Sequence, residues 1–143
     1  MTRIVAAAVI VALAGPVAAD GVVTYPVEGS FEDAAFAVEN AIIERGLVVD
    51  FVSHVGAMLA RTGADVGSEV ALFEAADVYL FCAAVTSRNV MEADRMNIAH
   101  CPYGIFVADT GDEVMIGYRS FPEGPMQEAQ ALLDEIARDA SGN

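Results

Sequence analysis

The spacing of apolar and polar residues in the first third of the chain predicts a strand, a helix and a second strand. Val22–Val27 is rich in β-branched residues, as short strands are. Ser30, with an acidic residue three positions later, is typical of a helix start. Apolar residues then recur at helical spacing until Gly46, which ends the predicted helix. Leu47–Val55 is the second predicted strand.

The middle of the chain combines an irregular segment with one continuous apolar run. The residues from Gly56 to Ala76 follow no single period. They predict a helical turn near Ala57–Arg61, then a loop, then a strand or turn at Val70–Phe73. Val78–Val85 is almost continuously apolar, which is typical of a central strand buried on both faces.

The last third of the chain predicts a helix, a hairpin and a closing helix. Ser87–Ile98 is polar enough for a surface helix, and Pro102–Ala108 and Glu113–Tyr118 flank a turn-rich tetrad, as hairpin strands do. Gly124 and Pro125 open the last helix, with proline at its first position. This order of elements predicts an α+β fold, a two-layer sandwich of one mainly antiparallel sheet with helices on one face.

The N-terminal segment Met1–Ala19 has the layout of a secretory signal peptide. Arg3 precedes the apolar run Ile4–Ala14, and small residues precede Asp20. As a helix this run would span only about 16 Å, against a hydrocarbon core of about 30 Å, so a membrane anchor is the weaker interpretation. We therefore predict cleavage between Ala19 and Asp20, a periplasmic location, and one soluble domain over residues 20–143 without stable membrane insertion.

The charge of the chain is strongly acidic. Its 143 residues include 7 basic side chains, all of them Arg, and 21 acidic ones, for a net charge of −14. Nucleic-acid binding needs clustered Lys and Arg, so this balance argues against a nucleic-acid partner. The apolar content of 55% includes the predicted leader, so the domain itself is less apolar than this figure indicates.

The two cysteines are candidate ligand or redox residues. Cys82 lies inside a predicted strand and Cys101 begins the next one. If the two strands are antiparallel neighbours, a disulfide is feasible. If they are parallel, the intervening helix separates the Cα atoms by more than the roughly 7 Å that a disulfide allows. A third alternative is two structural thiols that pack as small apolar groups.

A second group of soft ligands lies just before Cys101. Met91, Met96 and His100 offer thioether and imidazole groups, which suit copper(I) or haem iron. On a helix, Met91 and Met96 would be about 140° apart around the axis and would not share a face. This separation argues against a shared site, and the ligand spacing matches no established motif. If a metal binds here, the candidate ligands are Met96 and His100, with copper or haem as the hypothetical cofactor. The alternative is that these methionines fill gaps in the core.

His54, at the end of the second predicted strand, is the remaining candidate. It offers a base, a ligand or a hydrogen-bond donor, and the alternative is a strand-end histidine bonded to the backbone. Ser53 and His54 are neighbours in a strand and point to opposite faces, so they are not a nucleophile and its base. The sequence contains no GxSxG, P-loop, GxGxxG or HExxH motif, and we assign no catalytic residue.

Several short motifs together resemble a known family over about Val22 to Ala137. They are Glu44–Leu47 at the end of the first helix, His54, Phe81 and Cys82, Met91–Asp94, and His100–Pro102 before the hairpin. The chain resembles the bacterial domain-of-unknown-function family 302, several members of which carry export signals. The resemblance implies an α+β fold with a TATA-binding-protein-like arrangement.

The same resemblance bears on individual residues. His54 matches a recurrent histidine after the second strand, and Cys82 and Cys101 match positions where many members have cysteine. The chain departs from the family at Ser53, where Asp is common, and at Ala83 and the following alanine, where Asn-Pro is common. The chain therefore lacks the Asp at position 53 that would offer a hydrogen bond to His54.

Three function hypotheses follow. The first is an exported periplasmic module that is not an enzyme and binds a second copy of itself, another periplasmic protein or a small ligand. The second is a redox, sulfur-handling or metal- or haem-binding protein that uses Cys82, Cys101, His100 and Met96. The third is a hydrolase or transferase centred on His54.

Overall fold

A computed structural model describes residues 17–19 and 21–143 of the chain. The strands are β1 (Val17–Ala19), β2 (Val22–Val27), β3 (Val48–Ser53), β4 (Ala75–Cys82), β5 (Tyr103–Asp109) and β6 (Val114–Arg119). The helices are α1 (Phe31–Ile43), α2 (Val55–Thr62), α3 (Ala84–Ala93) and α4 (Gln127–Ser141), with 3-10 turns at Ala64–Val66 and Arg95–His100.

The strands form one sheet in the order β1-β2-β6-β5-β4-β3, and every neighbouring pair is antiparallel. Helices α1 and α4 pack against each other and against this sheet, while α2 contacts the sheet at β4. The predicted α+β sandwich is confirmed.

One face of the sheet, which we call the inner face, forms the core together with α1 and α4. Alternate residues of β2, β4, β5 and β6 point to it, and burial of each large apolar side chain contributes about 1.5–3 kcal/mol. The fully buried members on the sheet are Tyr25, Phe81, Tyr103, Ile105, Val107 and Ile116, and those on the helices are Val38, Ile42, Leu133 and Ile136.

Helix α1 begins and ends where the sequence predicts. The backbone N–H of Asp33 donates to Ser30 Oγ at 3.1 Å, and the Ser30 hydroxyl donates to Asp33 Oδ2 at 2.9 Å. At the other end, Gly46 has a φ of +72°, a left-handed conformation that glycine adopts without strain. Local chemistry therefore fixes both ends of this helix.

Strand β4 differs from the prediction in its bounds and in its burial. The predicted strand at Val78–Val85 was wrong by three residues at each end, because β4 runs from Ala75 to Cys82 and α3 begins at Ala84. The prediction that both faces of this strand are buried was also wrong. Tyr79 and Phe81 are buried on the inner face, whereas Val78 and Leu80 on the other face are only half-buried. The segment Val70–Phe73 is exposed and is not a strand.

The helical segments beside β5 and before α4 also differ from the prediction. The predicted helix at Ser87–Ile98 is split, because Asp94 takes an extended φ of −154° and its carboxylate accepts the backbone N–H of Met96 at 2.9 Å. Helix α4 begins at Gln127 rather than at Pro125, which lies in the turn before it. The predicted hairpin is confirmed as β5 and β6.

The predicted leader lies largely outside the described residues, which omit residues 1–16 and 20. Within it, Val17–Ala19 pairs with Val22–Thr24 as strand β1. Cleavage after Ala19 would remove β1 and leave β2 at the edge of the sheet. In the described part of the chain, no helix has the length and apolar character to cross a membrane.

Candidate functional site

The structure brings together two of the sequence candidates, Cys82 and Cys101. Strands β4 and β5 are antiparallel neighbours with Phe81 opposite Tyr103, so Cys82 ends one strand beside the start of the other. Of the parallel and antiparallel arrangements that the sequence left open for these two strands, the structure has the antiparallel one. Both cysteines are free thiols, with Cys82 exposed and Cys101 half-buried.

A hydroxyl group from α3 and a buried phenol surround the Cys101 thiol. Ser87 Oγ lies 3.9 Å from Cys101 Sγ, and the Ser87 hydroxyl donates to the Tyr103 hydroxyl at 3.4 Å, a long hydrogen bond. Tyr103 is fully buried on the inner face. The cysteine cluster is therefore Cys82, Cys101, Ser87 and Tyr103, and only its two cysteines were named from the sequence.

The electrostatic environment of this cluster favours the protonated, uncharged forms of Tyr103 and Cys82. Burial raises the pKa of Tyr103 to about 12, with the Ser87 hydrogen bond opposing and both thiols adding to the rise. Although Cys82 is exposed, partial desolvation of its thiol raises the pKa, and Cys101 and Asp50 raise it further. Activated cysteines have a lowered pKa instead, so Cys82 is not set up as a catalytic nucleophile.

The metal candidates Met96 and His100 lie on the same 3-10 turn, Arg95–His100. Met96 is 71% exposed, and the His100 ring packs edge-on against Phe121 with centroids 5.2 Å apart. Within residues 17–19 and 21–143, no three His, Cys, Asp or Glu side chains group as metal ligands. A copper or haem site at Met96 and His100 stays a sequence-based prediction.

The imidazole of His54 pairs with a carboxylate that the sequence analysis missed. His54 Nδ1 lies 2.8 Å from Asp77 Oδ1, across the ladder between β3 and β4. The ring is thus bonded to a side chain rather than to the backbone. The only sequence signal for Asp77 is an acidic residue at the head of an apolar run.

His54 and the cysteine cluster do not form a common site. Asp77 and Cys82 lie at opposite ends of β4, about 16 Å apart along the strand. The His54 side chain is 67% exposed and sits at the end of the edge strand β3. The geometry therefore gives no support to a hydrolase or transferase centred on this histidine.

A second group that the sequence analysis missed is a carboxylate with three donors on α4. Asp134 Oδ1 accepts the hydroxyls of Tyr25 at 2.5 Å and Tyr118 at 2.7 Å, and its Oδ2 accepts Arg138 Nε at 2.8 Å. Burial raises the pKa of Asp134, but the hydrogen bonds from Tyr118, Tyr25 and Arg138 outweigh it and lower the pKa overall. This network joins α4 to β2 and β6.

The outer face of the sheet, opposite the core, is largely apolar, with one charged residue, Arg119, at the end of β6. We define it by Phe51, Val78, Leu80, Gly104, Phe106, Met115 and Gly117, which the strand registers place on one side. Phe51 is 62% exposed, because a register shift at Asp50 turns its ring away from the core. The outer face is therefore a continuous apolar surface that α1 and α4 leave uncovered.

Two glycines make the outer face flat. A Cβ at Gly117 would lie 2.4 Å from Phe106 Cζ, so the Phe106 ring lies directly over this glycine. A Cβ at Gly104 would lie 3.2 Å from Leu80 Cδ2 and 3.4 Å from Val78 Cγ1. The Phe106 side chain thus lies over Gly117, and the Leu80 and Val78 side chains lie beside Gly104, where no side chain projects from the sheet. Such a surface fits a second flat apolar surface.

Comparisons with known proteins agree with this fold. The family model described as domain of unknown function DUF302 matches residues 23–141. The crystal structure of an uncharacterized conserved DUF302 protein from Bacillus stearothermophilus superimposes with a TM-score of 0.60 at 15% identity, covering 87% of this chain and 95% of that one. At that identity the likeness shows the fold alone. No curated protein matches the chain.

Proposed function

The chain belongs to the DUF302 family, and we propose that it is an exported, non-enzymatic binding module that pairs with a second copy of itself through its outer face. The observation that carries this proposal is the flat apolar surface on the side of the sheet opposite α1 and α4. A surface of this kind is typical of an interaction site rather than of an isolated monomer.

The size of the outer face suits a protein interface. The residues that define it lie on the four strands β3 to β6, which are about 4.8 Å apart and about six residues long, so its planar footprint is about 400 Å². A standard interface buries roughly 800 Å² per partner, so the outer face would form the apolar centre of the interface and the residues around it would form the rim. Two such faces would pack about 10 Å apart, as sheets in sandwiches do.

The charge of the chain favours a second copy as the occupant. At a net charge of −14, two copies repel each other wherever their acidic surfaces meet. The seven positions of the outer face are uncharged, so copies meet there with the least repulsion. A two-fold interface also needs only one self-complementary surface, and an apolar sheet face is self-complementary without charged partners.

The positions of the titratable groups support a role without catalysis. The His54 imidazole is exposed at a sheet edge. Partial desolvation raises the pKa of the Cys82 thiol. The groups that most often act as base and nucleophile are therefore far apart, and the thiol is not activated.

Export is supported by the leader pattern at Met1–Ala19. When the full chain is expressed in a Gram-negative host, we expect it in the periplasmic fraction with a mass that begins at Asp20. A control variant with Arg in place of Val9 and Val11, within the apolar run, should stay in the cytoplasm at full length. Recovery of the unaltered chain uncleaved in the cytoplasm would contradict export.

The variant Phe51→Arg tests the dimer, because it places a positive charge on the outer face. We expect the unaltered protein to be a dimer at micromolar concentration, and we expect this variant to be a monomer. A buried, unpaired arginine costs about 3 kcal/mol or more, which weakens association at least 100-fold. Light scattering after gel filtration and sedimentation velocity measure the change.

The matched control is Phe36→Arg on α1. Phe36 is 67% exposed, close to the 62% of Phe51, but it lies on the helical side of the molecule. We expect this variant to remain a dimer. A monomeric unaltered protein, or equal loss of the dimer in both variants, would overturn the proposed interface.

A further inference from the structure

We propose that the edge of β2 that pairs with β1, which we call the β2 edge, binds an extended apolar segment of another protein once the leader has been removed. Strand β1 (Val17–Ala19) occupies this edge in the full chain. The inference rests on the proposed export only for the removal of β1, and it does not depend on the dimer.

Strand β1 shows what kind of segment the β2 edge accepts. Its three residues, Val-Ala-Ala, are uncharged and extended, and they pair antiparallel with Val22–Thr24. The register sets Ala18 opposite Val23. A strand that is added to a sheet edge is held by main-chain hydrogen bonds, and its alternate side chains give the selectivity.

The backbone groups of β2 alternate between its two neighbouring strands. The Gly21 carbonyl accepts the backbone N–H of Ser120 at 3.0 Å, so the odd-numbered residues of β2 bond to β6. Val22 and the other even-numbered residues therefore direct their N–H and C=O groups to the β2 edge. Pro26 is one of these residues and has no N–H, so the edge offers donors only before Pro26. The edge thus suits a short strand, and β1 has three residues.

A groove of about 350 Å³ lies beside the β2 edge on the inner face. Val23 and Tyr25 line it from the strand, and Ala131 and Asp134 line it from α4. Opposite residues of an antiparallel pair project to the same face, so a guest side chain opposite Val23 projects towards this groove. The Asp134 carboxylate is already paired with two tyrosine hydroxyls and Arg138, so the groove favours an apolar guest side chain over a charged one.

A short ladder suits an extended segment better than a second folded copy. An edge contact of this length buries far less than the roughly 1,200 Å² at the lower limit of a stable interface between folded proteins. Two copies, each with a net charge of −14, also repel each other. An extended segment avoids both difficulties, because it lies along the groove and carries little charge.

The leader competes with any external segment for the β2 edge. Because β1 belongs to the same chain, its effective concentration at the edge is high, and an external segment has to displace it. Removal of residues 1–19 removes this competitor. The exposed edge is then a template for a further strand. Cleavage of the leader therefore opens the binding site.

The experiment compares two forms of the protein, one that begins at Asp20 and the full-length form with Arg in place of Val9 and Val11. The first form holds all of residues 23–141, which the family model matches. The probe is the capped hexapeptide Gly-Pro-Val-Leu-Ala-Asp, which copies residues 15–20 with Ala18→Leu. We expect the shorter form to bind it at least about tenfold more tightly in calorimetric titration, because β1 no longer competes.

Methylation of the probe backbone provides the matched control. Positions 17 and 19 lie opposite even-numbered residues of β2, so their N–H groups point to β2, whereas that of position 18 points away. N-methylation at position 17 or 19 should weaken binding at least about tenfold, and at position 18 by less than about threefold. Replacement of the leucine by alanine should weaken binding at least about tenfold, because a larger apolar side chain no longer fills the groove.

The outcomes separate this site from the proposed dimer. The Phe51→Arg variant of the form that begins at Asp20 should bind the probe as the unaltered form does, whether or not it has lost a dimer. The proposal is overturned by absence of binding to the form that begins at Asp20, by equal binding to both forms, or by equal effects of methylation at positions 17 and 18. Dissociation of a dimer by the probe would also overturn it, since the β2 edge would then bind a second copy.

Discussion

Replacement of Gly117 by alanine is expected to lower the free energy of unfolding by about 2–3 kcal/mol, although it adds only one methyl group. The added Cβ would lie 2.4 Å from Phe106 Cζ and 2.6 Å from the backbone oxygen of Val23. The Phe106 ring has some freedom to move, but Val23 belongs to β2, which pairs with β6 at this point. Relief of the clash therefore requires the two strands to separate or the ladder to bend.

Gly104→Ala is the matched control for this prediction. Its Cβ would meet only the ends of flexible side chains, Leu80 Cδ2 at 3.2 Å and Val78 Cγ1 at 3.4 Å. We expect a loss below about 1 kcal/mol, because these side chains adjust by rotation. Urea unfolding followed by circular dichroism measures both variants. Equal losses in the two variants would contradict the assigned role of the Val23 backbone.

Elements with a local chemical signal at both ends were predictable from the sequence. Helix α1 lies between the Ser30 cap and Gly46, and the structure confirms both. The hairpin was predictable because its turn residues separate two apolar runs. In these cases the residues that define the ends lie next to each other along the chain, and their preferences act without help from distant contacts.

The bounds of β4 were not predictable, because its end has no such signal. Helix α3 begins after Ala83, which has no side-chain oxygen to cap a helix. The apolar run therefore passes from strand to helix without a change in composition. The sequence also did not reveal that the outer-face residues of β4 are only half-buried, for a related reason. Apolar residues on an uncovered sheet face have the same pattern as residues buried on both sides.

The candidate sites depended on contacts between distant residues. The relation of Cys82 to Cys101 required the strand order, which leaves parallel and antiparallel alternatives open until the sheet is known. Asp77 reaches His54 across two strands, and Asp134 meets Tyr25 over 109 residues of chain. No periodicity or spacing rule carries information over such separations, so the sequence indicated the thiols and the imidazole but not their partners.

The Asp134→Asn variant is expected to lose about 2–3 kcal/mol of stability at neutral pH. Hydrogen bonds to a charged group contribute about 1.5–3 kcal/mol each, and this carboxylate accepts three of them. Asparagine keeps an oxygen for the tyrosine hydroxyls, so part of the contribution survives. It removes the ion pair with Arg138, whose guanidinium also lies over the Tyr25 ring at 5.5 Å from its centroid.

The pH dependence of that loss identifies the carboxylate as its source. Burial raises the pKa of Asp134, but the hydrogen bonds from Tyr118, Tyr25 and Arg138 lower it below the usual value. A carboxyl group with a lowered pKa stabilises the fold above its unfolded pKa of about 3.9, and this stabilisation disappears as the pH falls through the folded pKa. The difference between the unaltered protein and Asp134→Asn should therefore be complete at pH 7 and shrink below about pH 4.

Glu135→Gln, which removes the same charge from the exposed side of α4, should change stability by less than about 0.5 kcal/mol. Urea unfolding followed by tyrosine fluorescence makes the comparison, because the chain has no Trp. If both variants behave alike at pH 7, the two tyrosines and Arg138 do not hold α4 to the sheet through Asp134. If the loss at Asp134 is the same at pH 7 and below pH 4, it comes from packing rather than from the charged carboxylate.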